Sequence, residues 1–289
     1  MLECVINVSE GRSSLVLDQL SRAAGACLLD VHCDPYHHRS VFTLAGHGVE
    51  AAARRLATTA IQRLDLTGHS GVHPRLGVID VVPFVPLEGA TPADACSARD
   101  DFARWIASEY EVPSFIYGPA VAEPEGVLAT DYPPAPSLPE VRRDAFGAIA
   151  PVYGPPTPHP SAGAVCVGAR PVLVAYNLWL GPDAELEAAR SVARAVRSRE
   201  VKALALAVGD RIQVSMNLVD PFQVGPAAAF DMVNRLGPVA GAELVGLLPE
   251  GVLAAIPEKR WTSLGLDLAH TIEHRLTSLI YKASQGETR

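Results

Sequence analysis

The sequence has no cysteine pair of the C-x-x-C type. Its five cysteines, Cys4, Cys27, Cys33, Cys96 and Cys166, are scattered and odd in number, which argues against a disulfide framework and for reduced, buried thiols in a reducing compartment. It lacks any continuous apolar run of the ~18 residues that a membrane span needs. The opening Met1-Leu2-Glu3-Cys4-Val5-Ile6-Asn7 has neither the basic nor the apolar region of a signal peptide, so a cytoplasmic protein without a membrane partner is expected. Gly11 and Gly25 form no Walker or Rossmann pattern, which argues against nucleotide binding. No H-E-x-x-H is present either. His32, Cys33, His37, His38 and His69 are residue types that suit zinc, but nothing fixes their geometry, and the expectation is no metal. Positive charge is also short: the formal net charge is −8, which disfavours a nucleic-acid or anionic-membrane partner while leaving room for a local basic cleft around a small anion.

What is present describes a folded chain. The 289 residues are 48% hydrophobic and 19% charged, suited to two domains of globular composition. Strand signals at Glu3–Val8, Cys27–Asp34 and Arg39–Ala45, helix signals near Ser13–Ala24 (with Ser13 as N-cap) and Val49–Leu66, and a strand at Gly77–Phe84 give a β-α-β-β-α-β order. A helix near Ala93–Glu111 and a strand at Ser114–Tyr117 follow. The proline-rich section Pro119–Pro160, with one helix near Leu138–Phe146, is a linker or a lid. The same order then returns: strand Val172–Trp179, helix Ala184–Arg199, strands Val201–Val208 and Ile212–Val219, helix Pro226–Leu236, strand Ala240–Leu248. Apolar spacing predicts a final helix over Ser263–Ala283. The fold class expected is therefore α/β (α+β), two ferredoxin-like subdomains over residues 1–178 and 179–289, each with a mostly antiparallel sheet and with a cleft or tunnel between them.

One stretch is built for chemistry: Thr67-Gly68-His69-Ser70-Gly71-Val72-His73-Pro74-Arg75-Leu76-Gly77, running into the apolar strand that ends at Phe84. Pro74 fixes its own φ and biases His73 toward an extended backbone. A histidine held in this way, with an ordinary pKa near 6.5, suits proton transfer at neutral pH; a structural loop histidine is the competing reading.

Glu3–Arg12, His73–Phe84, Gly168-Ala169-Arg170-Pro171-Val172-Leu173-Val174-Ala175-Tyr176-Asn177, Gln213–Leu218 and Glu243–Pro249, in that order, resemble the glutamate formimidoyltransferase (formiminotransferase) family over nearly the whole chain. The resemblance implies two ferredoxin-like subdomains with a folate tunnel, a homodimer, and formimidoyl transfer between N-formimidoyl-L-glutamate and tetrahydrofolate in histidine degradation, with tetrahydrofolate as a substrate. The cyclodeaminase domain of some members is not expected here. His73 matches the catalytic histidine. The segment 147–165 holds the folate loop, with Gly154, Pro155, Pro156, Thr157, Pro158, His159, Pro160, Ser161, Ala162 and Gly163 as folate-contacting positions. Asn7, His32, Arg39, Arg75 and Asp80 are candidates for the substrates, the arginines because a guanidinium pairs bidentately with a carboxylate.

The animal members carry an aspartate where His32 stands. Asp30, Asp34 or Asp80 is then expected to supply the carboxylate, or the chemistry is altered. Formyl transfer from 5-formyltetrahydrofolate to glutamate, and folate binding without turnover, remain as alternatives.

Overall fold

The computed structural model describes residues 1–71, 75–118 and 135–284. The chain divides into two compact units, Met1–Pro171 and Val172–Arg289.

The first unit opens with β1 (Leu2–Val8), α1 (Ser14–Ala24), β2 (Leu28–Asp34), β3 (Arg39–Ala45), α2 (Val49–Arg63) and β4 (Ile79–Pro86). It continues with α3 (Pro92–Tyr110), β5 (Ser114–Tyr117), α4 (Leu138–Asp144) and β6 (Val165–Ala169). Its sheet runs β2-β3-β1-β4-β6-β5. The first four strands pair antiparallel, and β6 lies between β4 and β5, parallel to both. The sequence reading missed β6 and the mixed character that it brings. A strand buried on both faces shows no polar alternation to read, and all five residues of β6 are buried. Gly168, next to its last residue, is required by a neighbour, since a Cβ there would stand 2.3 Å from the Tyr117 ring.

Strand alternation sorts the side chains of this sheet. Cys4, Ile6, Val8, Phe42, Leu44, Val82 and Phe84 share a core with Leu20 of α1, Leu56 of α2 and Phe102 of α3. The opposite face carries Val81, Phe115 and Cys166 beneath Val141 of α4. Farther along that face lie Asn7, Val41 and His32, paired in one row across β1, β3 and β2. Helix starts follow local chemistry. The Ser13 hydroxyl accepts from Val16 N at the head of α1, and Thr91 with Asp94 forms a reciprocal cap at the head of α3.

The second unit contains β7 (Val174–Leu180), α5 (Leu186–Val196), β8 (Val201–Val208), β9 (Arg211–Leu218), α6 (Pro226–Asn234) and β10 (Val239–Val245). Its strands are ordered β10-β7-β9-β8 and are antiparallel throughout. Both units therefore carry the ferredoxin-like β-α-β-β-α-β order. Val174, Tyr176, Leu178, Val214 and Met216 face Ala189 and Val192 of α5 and Val233 of α6. The tail differs from the single helix expected over Ser263–Ala283. After α7 (Glu250–Ala254) come one-turn 3-10 helices, among them Thr262–Leu264 and Leu268–His270, and only then α8 (Ile272–Ser284). Gly265 turns left-handed at φ 66°, and the Asp267 carboxylate accepts from His270 N, so the chain is broken twice before α8. Leu264 and Leu266 are buried by these turns, and Tyr176 Oη donates to Leu264 O at 2.8 Å.

Four of the five cysteines are buried as expected, but Cys33, near the end of edge strand β2, is exposed. Among the described residues no helix is long and apolar enough to cross a membrane.

Candidate active site

Three connections of the first unit meet at one end of its sheet: residues 9–13 after β1, 34–39 between β2 and β3, and the approach to β4. Ser9 fastens the first to the third, its N–H donating to Val78 O and its hydroxyl to Gly77 O, both at 2.8 Å. Ser40 Oγ donates to Glu10 O at 2.5 Å and ties the first to the second. Two glycines make the approach possible. A Cβ on Gly11 would lie 2.4 Å from Asp34 O, and one on Gly71 would lie 2.6 Å from both His37 O and an Arg75 nitrogen.

Charge is dense in this cluster and mostly committed. Asp34 Oδ1 accepts from Tyr36 N and His37 N at 2.8 Å, and Oδ2 faces His37 Nδ1 at 2.6 Å. Burial alone would raise this carboxyl, but the bonds from His37 and Tyr36 outweigh it and hold the pKa down at about 2. Glu10 Oε1 accepts from Arg12 N and Ser13 N at 2.6 and 2.9 Å, and His38 Nε2 lies 3.2 Å from it. Against the raising effect of burial, those backbone bonds and the His38 charge keep Glu10 below its usual range. His38 adopts φ 50°, and its Nδ1 faces Ser70 O at 2.9 Å. Its ring stacks on His69 with centroids 3.9 Å apart. His69 in turn faces the Arg75 guanidinium, with 2.8 Å from Nη1 to Nε2. Burial, then Arg75, then His38 lower the His69 pKa and so favour the uncharged ring beside Arg75.

Behind this layer Asp80 is fully buried, with Oδ1 accepting from Leu76 N at 2.7 Å and Oδ2 paired with Arg142. Arg39 is pushed down to about 10, first by burial, with Asp80 opposing and Arg142 adding to the shift. His73 itself, with Val72 and Pro74, lies outside the described residues, as do residues 119–134 of the section read as a linker or lid. Gly71 and Arg75, on either side of these three in sequence, belong to the loop cluster.

The segment Gly154–Gly163 meets the same approach to β4. Val78 N donates to Ala162 O at 3.0 Å, Ala164 N to Leu76 O at 2.9 Å, and Leu66 N to Ser161 O at 2.8 Å. His159 Nδ1 accepts from Ala162 N at 3.0 Å. Gly154, Pro156, Thr157, Pro158 and Pro160 are exposed. Arg75, Asp80, Arg39 and this segment thus share one end of the sheet, while Asn7 and His32 lie in the row across its face.

Sequence reasoning missed the Glu10–His38 and His69–Arg75 contacts, which join separate loops and leave no local pattern. It also missed a polar group on the second sheet, where Glu243 Oε2 accepts from Asn177 Nδ2 at 3.3 Å and Gln213 Nε2 at 3.4 Å, and Gln213 Oε1 is buried without a partner. The register pairs Glu243 with Asn177 across β10 and β7, a proximity that alternation within one strand does not reveal. Among the described residues no three His, Cys, Asp or Glu side chains converge to hold a metal ion.

Comparison with known proteins places this arrangement. The family model for the formiminotransferase domain, N-terminal subdomain, matches residues 1–170, the whole span that carries the loop cluster. The chain belongs to the formiminotransferase family. It is 34% identical to the glutamate formimidoyltransferase of Streptococcus pyogenes serotype M1, over 89% of this chain and 92% of that protein. It is 29% identical to that of Thermoplasma acidophilum, over 96% of this chain and 97% of the relative. Against the formimidoyltransferase-cyclodeaminase of Sus scrofa the identity is 34% over 86% of this chain, which spans 50% of that longer protein. The formiminotransferase likeness therefore runs through both units.

Proposed function

We propose that the chain catalyses formimidoyl transfer between N-formimidoyl-L-glutamate and tetrahydrofolate, with His73 moving the proton. The support is the likeness to a glutamate formimidoyltransferase along 92% of that relative's length. The structural support is a loop cluster, bracketing residue 73, whose charged groups are held in place by hydrogen bonds. An amine of tetrahydrofolate attacks the formimidoyl carbon, a C–N bond forms, and a tetrahedral species results. Its collapse breaks the bond to the glutamate nitrogen. A neutral imidazole at position 73 takes the proton from the attacking amine and returns it to the departing nitrogen. Asp80 holds the Leu76 amide, and so the start of β4, by a bond from full burial. On this reading residues 154–163 contact the folate, and the protein works as a cytoplasmic homodimer in histidine breakdown.

The test is turnover of purified protein with N-formimidoyl-L-glutamate and tetrahydrofolate, beside 5-formyltetrahydrofolate with glutamate. His73→Ala is expected to lower kcat by about 10²–10⁴-fold with folate affinity retained. The wild-type rate is expected to fall on the acid side of the imidazole range. Wild-type turnover in His73→Ala would remove His73 from the mechanism, and formyl transfer alone would change the reaction.

A further inference from the structure

Arg12 ends the Asn7–Arg12 segment, yet proton transfer at His73 gives it no task. Its Nε donates to Pro35 O at 2.9 Å, which tethers the guanidinium by one edge. The residue is exposed, and with Pro35, Tyr36, Ser70 and Gly71 it lines an open cleft of about 750 Å³. Among the described residues no carboxylate pairs with it. Glu10, the nearest acid in sequence, is occupied by Arg12 N, Ser13 N and His38. A second guanidinium borders the same wall. Arg75 Nη2 donates to His37 O at 3.1 Å and stands so close to Gly71 that a Cβ there would be 2.6 Å away. The two cations sense each other, since the Arg12 charge helps to depress Arg75 after burial has done most of it. Arg12 lines the cleft and Arg75 stands behind its Gly71 wall, partly offset by Asp80, so positive charge at this cleft favours the entry of an anion. The Tyr36 ring, 60% exposed, offers a flat side and a hydroxyl at the rim.

Both substrates of the proposed reaction carry carboxylates, and chain geometry separates them. Gly71 is two residues from His73 in the sequence, and two peptide units span at most about 7 Å. A carboxylate seated against Gly71 therefore suits a molecule whose reacting carbon is only a few bonds away. In N-formimidoyl-L-glutamate the α-carboxylate and the transferred group share one Cα. In folate the p-aminobenzoyl ring separates the tail carboxylates from the reacting amine. We propose that Arg12, with Arg75 and Tyr36, forms the subsite for a carboxylate of the glutamate donor. The assignment rests on the proton-transfer reading of His73.

The experiment has a binding arm and a kinetic arm. L-glutamate added to the wild-type protein is expected to protect amides in residues 10–13, 36–37 and 69–71 from hydrogen exchange. Arg12→Gln is expected to weaken glutamate binding and raise KM for the donor by about 10–100-fold, the range for a charge-assisted bond. Its kcat and KM for tetrahydrofolate should stay within a few-fold. Arg12→Lys, which keeps the charge but not the fork, should recover part of the loss. Unchanged glutamate affinity in Arg12→Gln, a rise confined to KM for tetrahydrofolate, or no glutamate protection of these segments in wild type would overturn the subsite. If Arg12→Gln does not fold, Arg12→Lys carries the comparison, and wild-type affinity there would count against it. Glutamate binding that depends on Arg12 in a protein without formimidoyl transfer would sink the reaction and leave the subsite standing.

Discussion

At residue 34 one carboxylate shapes a turn and holds a histidine. Its folded pKa of about 2 lies below the ordinary aspartate value near 3.9, so Asp34 binds a proton more readily unfolded than folded. Its contribution is then complete above pH 4 and lost as the pH falls from about 4 toward 2. Asp34→Asn should cost about 1–2 kcal/mol near neutrality, because the side chain is only 21% exposed and the shift is little screened. The difference from wild type in urea unfolding should shrink between pH 4 and pH 2, and a difference independent of pH would show that shape, not charge, holds the turn. Sequence at this scale revealed some roles and hid others. The Ser13 cap was legible because capping is local. The contact of Asp34 with His37 was not, nor were those of Asp80 with Arg142 and Leu76 N, because they depend on the path the chain takes in space.

At the scale of elements, the crossing of residues 159–164 over the lead-in to β4 is made by two glycines back to back. Gly163 has φ 72° and a Cβ there would meet Leu76 O at 2.2 Å, while one on Gly77 would meet Ala164 O at 2.1 Å. Gly89 has a similar φ of 77° and nothing within 4 Å of the same added atom, so it isolates the cost of backbone strain. Gly89→Ala is expected to destabilise by about 1 kcal/mol and Gly163→Ala by about 2–4 kcal/mol. Equal costs in a denaturant titration would mean that the close approach is unimportant. Folate affinity should fall with Gly163→Ala and not with Gly89→Ala if the 154–163 segment is the folate loop. Both β-α-β-β-α-β orders were readable because each strand or helix carries its own period. Strand β6 and the broken tail were not, because what decides them is distant: the Tyr117 ring over Gly168, and the buried positions of Leu264 and Leu266.

For the whole molecule the telling feature is that apolar burial is divided. Leu56 belongs to a core built only from residues of the first unit, and Leu178 to one built only from the second. Both side chains are fully buried, so Leu→Ala at either should cost about 2–5 kcal/mol through lost transfer energy and a residual cavity. The cost should fall where the cavity is. Leu178→Ala is expected to speed hydrogen exchange of β7–β10 amides while those of β1–β4 keep more of their protection, and Leu56→Ala should do the reverse. Tryptophan fluorescence gives a second view, because Trp105 packs against the first core and Trp261 against the second. In Leu178→Ala with Trp105 replaced by Phe, the unfolding midpoint should drop by more than in the same variant that keeps Trp105 and has Phe at positions 179 and 261. Two variants that lower protection across all ten strands by the same amount would show one cooperative unit. The repeated β-α-β-β-α-β order would then not correspond to independent folding.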